Sequence, residues 1–295
     1  MIEGTATALV TGASSGIGKE IARSLAAGGW RVIGTGRNPD RMRSAEAELR
    51  AASTSGAVDM LGADLSLMSE ARDLARRVEA MSPRLDLLVN NAGGMARERV
   101  MTSENLEANF AGNHLGPFLL TQELLPLLRR TALGAPYGTV RILNTTSDAS
   151  EMIAGLNLDD MQGLNAFDPG LAYCSGKLAN VLFTRALAER LDGEGIVVHA
   201  VHPGAVDSNF FSNASAETQA RLKHLEKATE AEGADTLVWL ATAPDAAAST
   251  GGYWYRRALR KPHASVEDKA IRDRFWEESD RLVRSALATA HRPAS

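Results

Sequence analysis

Thr11-Gly12-Ala13-Ser14-Ser15-Gly16-Ile17-Gly18 lies between a short apolar run, Thr7 to Val10, and an amphipathic segment, Ile17 to Ala27. Glycine between a strand and a helix permits a tight turn and lets the backbone approach a pyrophosphate, whose charge meets the positive end of the helix. Gly12, Ser14, Ser15, Gly16, Ile17 and Gly18 are therefore the first candidate binders of a dinucleotide. Three residues separate Gly12 from Gly16, so the spacing departs from G-x-G-x-x-G, and a plain structural turn stays open on the glycines alone. Gly12 to Gly16 also satisfies G-x-S-x-G, the nucleophile elbow of serine hydrolases. A hydrolase needs strands and an oxyanion loop upstream of its elbow, and only eleven residues precede Gly12.

The alternation of short β-branched runs with longer amphipathic stretches continues downstream. It predicts strands at Thr7 to Val10, Arg31 to Thr35, Ala57 to Leu61, Leu85 to Asn90, Val140 to Thr145 and Ile196 to Val201. Helices are predicted at Ile17 to Ala27, Arg41 to Ala52, Met68 to Met81, Gly112 to Arg130 and Leu171 to Leu191. Such alternation is the pattern of parallel strands joined by crossover helices. The expectation is an α/β fold: a single doubly wound Rossmann domain with a mostly parallel seven-stranded sheet and helices on both faces. Residues 1–260 are assigned to the dinucleotide-binding catalytic domain, with a polar lid at about 209–232. Residues 261–295 are assigned to a helical extension packed on the same domain, with Phe275 and Trp276 as anchors. Ser150 to Gly170 is a second long irregular excursion, and such excursions beyond strand ends commonly carry function.

Composition narrows the class. The 295 residues are 44% hydrophobic and 23% charged, which is enough to bury a sizeable core. Thirty-two basic against 36 acidic residues leave a net charge of −4, with both signs interspersed, so no nucleic-acid-coating surface is expected. The single cysteine, Cys174, cannot form an internal disulfide, and the start MIEGTATALV lacks a signal peptide's basic and apolar regions. Even the greasy segment Leu115 to Leu128 is interrupted by Thr121, Gln122 and Glu123, short of the roughly 18 apolar residues a spanning helix needs. A cytoplasmic protein with no membrane partner is expected. His114, His199, His202, His224, His263 and His291 show no metal-ligand spacing; no metal is expected, and His114 and His202 read as packing histidines.

Tyr173 and Lys177 stand four apart on a predicted helix, so their side chains share one face. Ser147 ends the preceding strand and Asn113 lies in the long helix before it. A tyrosine acting as acid or base near neutrality needs its pKa, near 10, to fall by about three units, roughly 4 kcal/mol. A neighbouring ammonium and the positive charge of an oxidised nicotinamide supply that sign. Which dinucleotide binds is read at the end of the second strand, where an acidic residue favours a free ribose hydroxyl and a basic one a 2′-phosphate. Thr35-Gly36-Arg37-Asn38 offers no carboxylate, so Arg37 points to NADP, preferred over NAD, with a solvated loop arginine as the competing reading because neither Ser14 nor Ser15 adds a second positive charge. Asp64 and Leu65, after the third strand, are placed to border the adenine, with helix capping as the competing role for Asp64.

These motifs resemble the short-chain dehydrogenase/reductase family over nearly the whole chain. They are TGASSGIG, Asn90-Asn91-Ala92-Gly93, Asn113, Ser147, Tyr173-Cys174-Ser175-Gly176-Lys177 and Pro203-Gly204-Ala205-Val206-Asp207-Ser208. NHLGPFLLT, RILNTTSDAS, YCSGKLANVLFTRALAERL and VHAVHPGAVDSNF further resemble the branch of retinol dehydrogenases and polyketide ketoreductases. The resemblance implies Tyr173 as the proton donor to a carbonyl or acceptor from an alcohol. It implies Lys177 as the group that lowers the tyrosine's pKa and binds the nicotinamide ribose. Ser147 would hold the substrate oxygen, and Asn113 would position a water linking Lys177 to solvent. Asn91, Ala92 and Gly93 would line the cofactor, and Pro203, Gly204, Val206 and Ser208 would cradle the nicotinamide.

Met95, Met152, Phe210 and Phe211 follow the cofactor and catalytic motifs; read as pocket walls they favour a bulky apolar ketone or alcohol over a sugar or small acid, with core packing as the competing role for each. Gly176 suggests a close approach of backbone or cofactor to the helix. The function expected is thus NADP-dependent hydride transfer between nicotinamide and a hydrophobic carbonyl or alcohol, in a possible homodimer or homotetramer. Two alternatives stand beside it: a non-catalytic NADP(H)-binding sensor or scaffold that kept the fold, and a sugar epimerase, whose glycine turn is usually shorter.

Overall fold

Successive residues of a strand face opposite sides of a sheet, and here the two sides feed two separate cores. The computed structural model describes residues 5–55, 57–206 and 227–290. Strands β1 (Thr7–Val10), β2 (Arg31–Gly36), β3 (Val58–Gly62), β4 (Leu87–Asn90), β5 (Val140–Thr145), β6 (Ile196–Val201), β7 (Tyr253–Tyr255) and β8 (Ala258–Arg260) form one sheet. Their order is β3-β2-β1-β4-β5-β6-β7-β8, parallel except for the last pair. The helices are α1 (Gly16–Ala27), α2 (Pro39–Ala52), α3 (Met68–Met81), the single turn α4 (Ala108–Phe110), α5 (Gly116–Ala132), α6 (Pro169–Arg190), α7 (Glu230–Thr242) and α8 (Lys269–Ala290). Leu9, Ile33, Leu88 and Ile142 face α3, α5, α6 and α8, while Val10, Val32, Val89 and Leu143 face α1 and α7. The doubly wound reading is correct, and the chain order reverses between β1 and β4, where the carboxyl ends diverge to leave a crevice.

The sheet has eight strands where the sequence predicts seven. The additional one comes from a hairpin whose two turn residues, Arg256 and Arg257, both have positive φ, 49° and 59°. Glycine or asparagine normally marks such a turn, so two arginines conceal it in the sequence. Contacts with the fold hold them there: Arg257 binds Asp235 on α7 and donates its N–H to Thr236 Oγ1 at 3.2 Å, and the Arg256 guanidinium lies 5.2 Å from the Tyr255 ring centroid. β4 starts two residues later than predicted, because the Leu85 N–H is taken by the Thr131 hydroxyl at 2.9 Å rather than by the ladder.

The charged terminal segment packs inward. Phe275 of α8 is fully buried against His114, with ring centroids 5.0 Å apart, and Trp276 meets Phe118 at 4.9 Å. His114, itself fully buried, is hydrogen-bonded to Ser279 of α8 at 2.9 Å, and burial pulls its pKa down to about 3, so this imidazole is neutral. It serves packing, as the sequence reading has it. The predicted lid lies outside the described residues apart from its end, where Thr229 and Glu232 form a reciprocal capping box that starts α7. Residues 230–232 are therefore helix. Phe210, Phe211, Ser208, His224 and His291 also lie outside the described residues. Among the described residues, no helix is long and apolar enough to cross a membrane.

Candidate active site

The glycine turn is built by close approaches. Gly12 has a φ of 71°, in the left-handed region that other residues avoid. A Cβ on Gly18 would stand 2.4 Å from the Gly12 carbonyl oxygen and 2.5 Å from Asn91 Nδ2, so α1 can start this close to β1 and β4 only with glycine there. Gly18→Ala is expected to cost about 1–3 kcal/mol through overpacking and to weaken dinucleotide binding, read as a lower urea midpoint and a higher dissociation constant for NADPH. The turn is pinned from β2, where Gly12 N–H donates to Thr35 Oγ1 at 3.2 Å and Ala13 N–H to the Thr35 carbonyl at 2.8 Å.

Ser15, at the N-cap of α1, makes no side-chain capping bond, and the first turn of that helix carries no acidic residue. The helix therefore presents unfilled N–H groups and its positive end to the crevice, which suits a phosphate. Among the described residues nothing lies within 4 Å of where a Cβ on Gly94 would stand. Open glycine backbone beside an uncapped helix fits a dinucleotide.

Thr11, fully buried, joins the ends of two strands. Its hydroxyl accepts from the N–H groups of Asn91 and Ala92, both at 2.9 Å, and Asn91 Nδ2 donates to the Thr11 carbonyl at 3.1 Å. The Thr145 hydroxyl donates to Asn91 Oδ1 at 3.3 Å. The Asn91 side chain thus ties β1 to β5, and the sequence reading missed both threonines because a buried threonine has no special spacing.

Asn113 sits in a π-helical stretch, Ala111–Leu115, between α4 and α5, where a regular helix is predicted. π-turns are rare and concentrate at functional sites. Asn113 Nδ2 donates to the Gly94 carbonyl and to both the backbone and side-chain oxygens of Asn109, each at 2.8 Å, while its Oδ1 accepts from Gly94 N–H at 3.2 Å. Its side chain fastens the Gly93–Gly94 loop rather than standing open. Gly176 explains itself here: a Cβ on it would lie 3.2 Å from Asn113 Cβ, so the glycine admits the asparagine, not a backbone or a cofactor.

A cleft of about 940 Å³ at the carboxyl end of the sheet is lined by every predicted site residue that is described. These are Gly12, Ser14, Ser15, Gly16, Ile17, Gly18, Arg37, Asp64, Leu65, Asn91, Ala92, Gly93, Asn113, Ser147, Tyr173, Lys177, Pro203, Gly204 and Val206. Arg37 is ion-paired with Asp64 at 3.7 Å, and Asp64 also accepts from Ser66 N–H and hydroxyl at 3.0 and 2.8 Å. Asp64 therefore both borders the cleft and holds the turn into α3. Among the described residues no three His, Cys, Asp or Glu side chains gather as metal ligands.

Tyr173 and Lys177 share a face of α6, with Lys177 Nζ 5.5 Å from the phenol ring centroid. The Thr146 hydroxyl donates to the Lys177 carbonyl at 2.7 Å, which fixes the helix against the end of β5 where Ser147 begins a single 3-10 turn. The leading influence on the phenol in this structure is burial rather than Lys177. Burial drives the phenol up; a hydrogen bond with Ser147 opposes that rise, and the charge of Asp148 adds to it. Burial likewise pulls Lys177 down to about 8, its ammonium having, among the described residues, a single 3.5 Å hydrogen bond to the Thr145 carbonyl. Desolvation outweighs attraction because both groups lie under 10% exposed. The arrangement can hold a proton on the phenol and present an under-partnered ammonium to hydroxyl groups.

The short chain dehydrogenase family model matches residues 6–219. A Streptomyces sp. (strain C5) chain assigned as a daunorubicin C-13 ketoreductase is 35% identical over 279 residues, covering 94% of this chain and 92% of the relative. Retinol dehydrogenase 12 of Homo sapiens is 37% identical over 278 residues, covering 93% and 85%. Among solved structures, the Pseudomonas aeruginosa RhlG/NADP active-site complex matches with a TM-score of 0.66 and 32% identity, covering 84% of this chain and 93% of the other. The chain belongs to the short-chain dehydrogenase/reductase family, in the branch of retinol dehydrogenases and ketoreductases, and is an oxidoreductase of the CH–OH group.

Proposed function

We propose that the protein interconverts a bulky hydrophobic ketone or aldehyde with its alcohol, using NADP(H). The observation that carries this reading is the convergence of Ser147, Tyr173 and Lys177 on one cleft with the uncapped end of α1. A bound nicotinamide supplies the hydride acceptor or donor. Tyr173 gives its phenolic proton to the carbonyl oxygen in reduction and takes one from the alcohol in oxidation. Ser147 hydrogen-bonds the same oxygen as its charge changes. Lys177 holds the ribose hydroxyls, and Asn113 keeps the Gly93–Gly94 loop against the cofactor space while its position serves proton exchange with solvent. Asn91, Ala92, Pro203, Gly204 and Val206 form the remaining walls.

The mouth supports an apolar substrate. Met95 and Val100 line the cleft. Met152, expected at the pocket from the sequence, is 70% exposed and does not line it. A panel of hydrophobic ketones and sugars assayed with NADPH and NADH tests substrate and cofactor class together; turnover confined to sugars, or none with any carbonyl, overturns the reading.

Arg37 is the proposed contact to the 2′-phosphate, supported by its 75% exposed side chain on the cleft rim and by the NADP-bound relative. A charge-assisted bond of about 1.5–3 kcal/mol corresponds to roughly a 10- to 150-fold effect. Arg37→Ala is expected to raise the KM for NADPH by that factor while leaving the KM for NADH within about twofold. Equal changes for both cofactors would refute the assignment. Assembly through the helices near Asn113 and Tyr173 is opposed by α8, which occupies that face. We place the enzyme in the cytoplasm, which its single cysteine allows.

A further inference from the structure

Ser147 has one hydroxyl proton to give. Its Oγ donates that proton to Asp148 Oδ1 at 3.0 Å and accepts from Ala149 N–H at 3.2 Å, and it is also hydrogen-bonded with the Tyr173 phenol. The other carboxylate oxygen, Asp148 Oδ2, stands 3.8 Å from His202 Nε2. His202 is itself fixed: it is buried, its ring stacks on Tyr255 with centroids 4.8 Å apart, and its Nδ1 accepts from Gly204 N–H at 3.4 Å. With Nδ1 an acceptor, the imidazole proton resides on Nε2 and faces the carboxylate. Ser147 is thus hydrogen-bonded to Asp148, and Asp148 approaches, at a distance longer than a hydrogen bond, the imidazole on the loop that brings Pro203 and Gly204 to the cleft.

The proposed chemistry asks Ser147 to hydrogen-bond the substrate oxygen, in competition with Asp148 for the same proton. We propose that Asp148 and His202 are a positioning pair for Ser147, the carboxylate aiming the serine hydroxyl and the imidazole holding the carboxylate by its far oxygen. The inference rests on the functional reading above. Both residues act through the serine. The second reading of Asp148, a capping residue for the 3-10 turn, is unsupported because that cap is made by the Ser147 hydroxyl.

The charged and titratable groups around the pair come from four elements. Tyr173 and Cys174 face it from α6, Glu151 from the turn after β5, Arg260 from β8, and Tyr253 from β7 through Glu151. Arg260 binds Glu151 at 2.8 Å, and the Tyr253 hydroxyl donates to it at 3.1 Å, so the terminal hairpin clamps this turn. The Asp148 charge pushes Tyr173 up and also pushes His202 up, against burial and Arg260, which pull the imidazole down. Removing the anion lets both fall. Since the phenol must be protonated to reduce a carbonyl, the anion extends the reductive reaction toward higher pH.

Three substitutions test the pair. Asp148→Asn keeps an acceptor for Ser147 without the charge, Asp148→Ala removes both, and Asp148→Glu restores the charge. With NADPH and a hydrophobic ketone, Asp148→Asn is expected to move the alkaline limb of kcat down by about one pH unit with KM within about twofold. Asp148→Ala is expected to add a loss of about tenfold in kcat, and Asp148→Glu to recover the limb in part. Unmoved limbs in both the Asn and Ala variants, with parent-like urea midpoints, overturn the proposal, as does a loss of equal size at every pH. A second readout needs no turnover: the His202 titration followed by NMR, identified with His202→Asn, is expected at lower pH in Asp148→Asn than in the parent, and an unchanged midpoint dissolves the pair. A parent that reduces no ketone defeats the functional reading alone, because the His202 titration still decides the pair.

Discussion

Replacing Tyr173 by Phe is expected to lower kcat/KM for ketone reduction by about 10³-fold or more, within the range of a lost general acid. NADPH affinity should stay within about threefold, because the ring remains and only the hydroxyl is removed. The phenol is 9% exposed and burial raises its pKa, so at neutral pH it carries the proton that reduction consumes. Lys177 and Ser147 stay in place in the variant, but the serine only hydrogen-bonds the oxygen and neither group replaces the phenol as the acid that transfers its proton. NADPH oxidation followed by fluorescence, with a parallel binding titration, checks both halves. A Phe variant retaining more than a tenth of parental activity removes Tyr173 from the mechanism.

Lys177→Met should move activity and stability in opposite directions. The lysine is 3% exposed, and burial brings its pKa from 10.5 to about 8. At 1.36 kcal/mol per pH unit, keeping it charged in the fold costs about 3 kcal/mol. A folded value below the unfolded one means that the unfolded chain binds more protons between about pH 8 and 10.5, so parental stability rises with pH across that window. Below pH 8 the penalty is fully present. Lys177→Met removes the group, so at pH 7 the cofactor-free protein is expected to gain up to about 3 kcal/mol, and its stability should be level through the window. Turnover should fall by 10²-fold or more, because the ribose contact proposed for the ammonium is then lost. Urea unfolding at pH 7, 8, 9 and 10 measures the difference; a destabilised Met variant at pH 7 refutes the buried-charge account.

Much of the fold was legible because its signals are local. The apolar runs of β1, β5 and β6 were read at their observed bounds, and the helix bearing Tyr173 and Lys177 was displaced by only two residues at its start. That start is set by Asp168, whose carboxylate accepts from Leu171 N–H at 2.7 Å ahead of Pro169, a capping signal the periodicity did not weigh. What escaped was held by distant contacts. The Arg256–Arg257 turn survives through Asp235 and Thr236, and the π-turn at Asn113 through Asn109 and Gly94. Asp148 was passed over because its importance lies in direction, toward Ser147 on one side and His202 on the other, and direction leaves no spacing to count.

The sequence by itself determined the doubly wound order, the glycine turn at Gly12 to Gly18 and the family to which Tyr173 and Lys177 belong. It could do so because periodicity, turn chemistry and one-turn spacing are properties of neighbours along the chain. Only the tertiary structure decided the protonation balance of the site and what governs Ser147. Desolvation and hydrogen-bond direction depend on which atoms surround a group, and those atoms arrive from β5, β6, α6 and the terminal hairpin, up to 109 positions apart in the Glu151–Arg260 contact.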